Sequence, residues 1–157
     1  MEKLNRLKKQ YQILKKKYKT PEFSALNEDF EIEKLQDHET DFLLREIRRA
    51  VVEKISAVLK FLEIIINPNE NSPAFVFAMI KEIKPETKKM IEAMYQDLST
   101  IETSSIMLDL DHSEKDEAKF IKEQVKKWDK TKKDLKVLIR NLDSMWKSEK
   151  SHKSYFG

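Results

Sequence analysis

Cysteine is absent from this 157-residue chain, and its one glycine is the last residue, Gly157. Without cysteine there are no disulfides, no thiolate catalysis and no cysteine-ligated zinc. Without internal glycine there is no phosphate-cradling loop of the P-loop or dinucleotide type, since those loops need several. The same scarcity, with only four prolines, argues against a sheet, because hairpin turns rely on positive φ angles and turn-forming residues. Long apolar runs are also missing. The longest, AFVFAMI from Ala74 to Ile80, is far short of the roughly 18 residues that cross a bilayer. No Glu-x-x-His pattern of the di-iron bundles occurs, and no Ser/His/Asp grouping is singled out by its spacing. The expectation is therefore a non-enzymatic chain without a cofactor.

Charge is what the chain does have. Charged residues make up 38% of it and hydrophobic ones 39%, a mix that suits amphipathic helices with one buried stripe and solvated flanks. The predicted fold class is all-α, an elongated antiparallel helical bundle of about four main helices plus a short apolar helix, with coiled-coil-like packing. The net charge is only +3, but its distribution is uneven. Residues 1–19 carry eight Lys or Arg against Glu2 alone, and residues 20–41 carry eight Asp or Glu against Lys34 alone. Adjacent blocks of opposite sign are expected to neutralise each other in the fold. The N-terminal segment lacks the apolar core of a secretory signal, and the expected location is the cytoplasm, with no membrane contact.

The pattern predicts helices over about 2–18, 35–66, 73–83, 85–110 and 113–147, in a single domain covering 1–147, followed by a flexible polar tail at 148–157. Thr20-Pro21 and Asn67-Pro68 supply stops. Phe23, Leu26, Phe30 and Ile32 are expected to tack down a loop or a short helical turn between the first two helices. Ser72-Pro73 and Ser113 read as helix starts. The apolar stretch FLEIII near the end of the second helix predicts burial on several sides, and Ala74 to Ile83 reads as a packed apolar plug. In the last helix, Ala118, Ile121, Val125, Trp128, Leu135, Leu138, Leu142 and Met145 keep a heptad that only Lys132 interrupts.

Three groups of residues are candidates for function. Leu4, Leu7, Tyr11, Leu14 and Tyr18 step by 3, 4, 3, 4 along the first helix. A helix this short is marginal alone in water, so the seam needs a partner: the chain's own bundle, another protein or a second copy. Lys8, Lys9, Lys15, Lys16, Arg45, Arg48 and Arg49 form the candidate phosphate-facing surface for nucleic acid. His38 and Asp41, with Asp111 and His112, lie in two acidic helix starts, each containing Asp-His. In an up-down-up-down bundle these starts share one end, which makes the four residues a candidate divalent-metal set. The leading functional expectation is a binding or scaffolding module working through protein–protein contacts. A nucleic-acid- or ribosome-associated protein is the second reading, and a metal-binding carboxylate/His bundle the third.

Overall fold

A computed structural model describes residues 1–153 and the side chains of residues 1–148. The described residues form seven α-helices and no strand, so the fold is all-α as expected. In chain order these are α1 (Glu2–Tyr18), α2 (Phe23–Phe30), α3 (Leu43–Ile66), α4 (Ala74–Glu82), α5 (Pro85–Leu98), α6 (Ile101–Leu110) and α7 (Glu114–Lys153), with a 3-10 helix over Ile32–Asp37. By its internal contacts the chain divides into two compact units. The first comprises Met1–Ala57 and Thr100–Trp128; the second comprises Val58–Ser99 and the chain from Asp129 onward. The division falls inside α3 and inside α7, and between α5 and α6.

In the first unit, α1, α2 and the 3-10 helix pack on one another. The segment expected as a loop is helical at α2 because Phe23, Leu26 and Phe30 recur at helical spacing and all three are buried. Eight residues hold too little periodicity to separate such a helix from a tacked-down loop by pattern alone. Its exit is clamped by Asn27, whose Oδ1 accepts from the Glu33 backbone N–H at 2.8 Å while its Nδ2 donates to Glu33 Oε2 at 3.1 Å. Tyr11 is fully buried edge-on to Phe23, with ring centroids 5.7 Å apart. Its hydroxyl donates to the Pro21 carbonyl at 2.7 Å and sits 3.0 Å from Thr20 Oγ1, which is placed to donate back. Burial, more than any neighbour, pushes the Tyr11 phenol pKa up.

Several boundaries differ from the sequence pattern. The second long helix starts at Leu43 and not near residue 35, because residues 32–37 take the 3-10 form and Thr40 Oγ1 accepts from the Phe42 N–H at 3.0 Å just before the helix. The stretch 85–110 is interrupted at Ser99-Thr100. There Ser99 Oγ donates to the Gln96 carbonyl and Thr103 Oγ1 to the Thr100 carbonyl, each at 3.0 Å. Such local bonds compete with the helical ladder. Ser113 caps α7 as expected, its Oγ accepting from the Asp116 N–H at 3.3 Å. Helix α7 runs on past Lys147 to Lys153, and residues 154–157 of the expected tail lie outside the described residues.

The lack of internal glycine has a conformational consequence. Helices commonly close on a left-handed residue, and glycine is the usual one because it has no Cβ to clash. Here Lys19 (φ 55°) closes α1 and Glu31 (φ 53°) closes α2, their N–H groups bonding the Lys15 and Asn27 carbonyls. Left-handed backbone costs an L-residue about 1–2 kcal/mol. Lys19→Gly is accordingly expected to raise the unfolding free energy by about 1 kcal/mol. Urea denaturation checks this, and an unchanged or lowered midpoint would refute it.

Candidate functional site

Of the eight cations in residues 1–19, three pair with the acidic block that follows and a fourth pairs with Glu114 of α7. Lys3 pairs with Asp37 at 2.9 Å, Arg6 with Glu39 at 3.3 Å, Lys15 with Glu22, and Lys17 with Glu114 at 3.0 Å. Lys8 rests 5.6 Å from the Phe23 ring centroid. Lys9 and Lys16 remain exposed without an ion pair among the described residues. Each exposed pair contributes little energy, and the pairs match part of the charge of the two blocks. The seam of α1 also faces inward: Leu7 and Tyr11 are buried in the first unit, and Leu4, Leu14 and Tyr18 are half-buried. Tyr18 donates its hydroxyl to Glu114 Oε1 at 2.5 Å, and Lys122 donates to the Tyr18 carbonyl at 3.0 Å.

The arginine cluster is split by the fold. Arg49 is exposed and bonded to Glu46 at 3.1 Å, and Arg45 lies over the Phe42 ring at 4.9 Å. Arg48, placed by its sequence in the candidate phosphate-facing set, is 0% exposed. Helix periodicity sets it one position from the exposed Arg49 and on the stripe of Leu44, Val51 and Ile55. Its Nε donates to Glu117 Oε2 at 2.6 Å, its Nη2 to Asp109 Oδ1 at 2.5 Å, and its Nη1 to the Ser105 carbonyl at 3.1 Å and to Ser105 Oγ. Burial works hardest on this guanidinium and against its charge, yet the bonds to Asp109 and Glu117 outweigh it and the pKa is raised. Glu117 is also 0% exposed; its Oε1 has no hydrogen-bond partner among the described residues, with His112 Nδ1 3.5 Å away.

The two Asp-His stretches do not form a ligand set. His112 stands edge-on to Phe42, with centroids 5.0 Å apart, whereas His38 lines a hollow with Arg6, Gln10 and Asp41. Among the described residues no group of three or more His, Asp or Glu is placed to hold a metal ion. The geometry therefore does not gather His38, Asp41, Asp111 and His112 as a metal centre.

An apolar groove in the second unit escaped the sequence reading. Phe61 of α3, Phe75 and Met79 of α4, and Ile139, Leu142, Asp143 and Trp146 of α7 line it around a volume of about 510 Å³. Phe75 is 49% exposed, Ile139 55% and Trp146 41%, and the two aromatic rings meet edge to face at 6.3 Å. The expected burial of FLEIII on several sides is corrected: Leu62 and Ile65 are buried, but Phe61, Ile64 and Ile66 reach solvent. The expected plug is corrected in the same way, since Val76 alone of α4 is buried while Phe75 and Phe77 are exposed. Both stretches hold more apolar residues than one buried stripe can use. That surplus was the available signal, and it pointed to surface and not to added core. No family model, curated protein or solved structure matches the chain.

Removing one member of a buried ion pair strands the other, at about 3–5 kcal/mol. Glu117→Leu is expected to cost that much, whereas the double change Arg48→Met with Glu117→Leu should cost markedly less. Equal losses in a denaturation cycle would refute the coupling. Asp109 is held below the usual carboxylate range first by its hydrogen bond from Arg48, and Glu114 by those from Tyr18 and then Lys17. A depressed carboxylate stabilises the fold above its unfolded pKa of about 4 and loses that contribution as pH falls through the folded value. The urea midpoint should therefore drop on acidification from about pH 5, and Asp109→Asn should flatten part of that drop.

Proposed function

We propose that this chain is a non-catalytic helical binding module that acts through protein–protein contacts, and that the groove between α3, α4 and α7 in the second unit is its contact surface. The observation that carries the reading is the cluster of exposed Phe75, Ile139 and Trp146 around that groove. Contiguous exposed apolar surface with a polar rim is what interaction sites look like, and a tryptophan beside an aromatic pocket is a frequent energetic anchor. The polar hollows of the first unit offer no comparable feature. One is lined by charged residues such as Glu31, Lys34, Glu53 and Lys54 together with His38, Phe30 and Leu35. The α1 seam, the other candidate contact, has its central residues engaged within the chain. The nucleic-acid reading is left with fewer free cations after the pairing of α1 and the burial of Arg48.

Site-specific photocrosslinking in the cells that make the protein tests this. A photoreactive residue at position 139 is expected to yield discrete higher-mass protein adducts, and one at the exposed position of Lys119 is not. Adducts equal at both positions, or none at 139, would overturn the docking surface. Salt-sensitive RNA crosslinks at Lys9 and Lys16 in their place would favour the nucleic-acid reading.

A further inference from the structure

The charges beside the groove say which kind of partner it takes. On α7 the apolar wall is Ile139, Leu142 and Trp146. Next to it, Lys136, Arg140, Asp143 and Lys147 step by 4, 3, 4 and form an adjoining stripe of the same helix. Asp143 is matched by Lys147 at 2.8 Å. Lys136 and Arg140 are exposed and make no ion pair among the described residues. The groove edge along α7 thus presents two cations without an ion pair, while on α4 Glu82 follows Phe75 and Met79 at helical spacing and Lys81 lies off that face, so Lys136, Arg140 and Lys147 against Asp143 and Glu82 leave the rim positive. The walls are all helical, and no strand edge exists among the described residues to pair with an extended peptide. Among the recurring modes, a helix laid into a groove between helices, read through anchors at i, i+3 or i+4, and i+7, suits these walls.

Resting on the docking reading above, we infer that the occupant is an acidic amphipathic helix of a partner protein. Large apolar side chains on one face of that helix fill the space between Phe61, Phe75 and Trp146, and Asp or Glu on its flank meets Lys136 and Arg140. Arginine suits this role because its planar fork takes a carboxylate through two donors. The apolar contacts supply attachment, and the cation edge supplies orientation and speed of encounter.

The test is a selection from an unbiased 16-residue random-peptide display library on the full-length protein, counter-selected against Phe75→Ser/Ile139→Ser. Both positions are about half exposed, so the double variant keeps its fold, as circular dichroism will verify. Enriched peptides are expected to share apolar residues at 3/4 spacing and at least two acidic residues on one flank. Their affinity, read by fluorescence polarisation of the labelled peptide, should fall about tenfold or more in Lys136→Glu/Arg140→Glu and weaken with salt. Groove-dependent peptides that are neutral or basic, or indifferent to that charge reversal, would overturn the acidic partner and leave the docking surface standing. Absence of any groove-dependent peptide would remove both. A doubled solution mass in light scattering that Phe75→Ser/Ile139→Ser returns to monomer would assign the groove to a second copy and also overturn the inference.

Discussion

Arg48 has no surface in contact with solvent, and a guanidinium in that position must be surrounded by acceptors or the fold around it fails. This single requirement organises the first unit. It calls Glu117 from the first turn of α7, and Ser105 and Asp109 from α6, onto one point of α3. The separation in sequence is 57 to 69 residues, so the convergence draws together segments far apart in the chain. Ser105 and Asp109 stand one turn apart on the same face of α6, and both reach Arg48.

The two units spend their apolar residues differently. In the first, aromatic groups are turned inward: Tyr11 meets Phe23, and Phe30 meets Trp128 at 5.8 Å. Polar groups that enter the interior there, Arg48 and Glu117 among them, are tied into specific bonds. In the second, the aromatic groups of α4 and the end of α7 stand at the surface around a groove. A chain with 39% hydrophobic residues has few to spare. Leaving Phe75, Phe77, Ile139 and Trp146 in contact with water is the opposite of what core formation alone would select. This contrast sets the groove of the second unit apart from the packed interior of the first.

Much of the architecture was legible from periodicity. The 3,4 spacing of α1, the heptad of α7 and the caps at Ser113 and Pro85 all express local rules that operate within a few residues. Detail failed where local signals were weak or competing. Thr131, not the heptad's Lys132, is buried in α7: Ile121, Gln124, Trp128, Thr131, Leu135, Leu138 and Leu142 step by 3, 4, 3, 4, 3, 4, a register that buries the polar Gln124 and Thr131 and so was hidden from a reading of apolar residues alone. Helix α2 was too short to be read by period. The role of Arg48 was hidden because an arginine beside other arginines looks like a surface cluster, and only its register on the stripe of Leu44, Val51 and Ile55 hinted otherwise.

By itself the sequence determined the helical class, the absence of any membrane-length apolar run, the lack of thiol and glycine-loop chemistry, and most helix limits. Each follows from composition or from spacing over a few residues, and none depends on what lies far along the chain. The tertiary structure alone decided which charges are paired and which apolar residues are exposed. Pairing Arg48 with Glu117, pairing Lys3 with Asp37, and exposing Phe75 beside Trp146 all rest on contacts between distant segments. A one-dimensional pattern records how polar a residue is; whether that residue meets a partner or water is settled only when the helices pack.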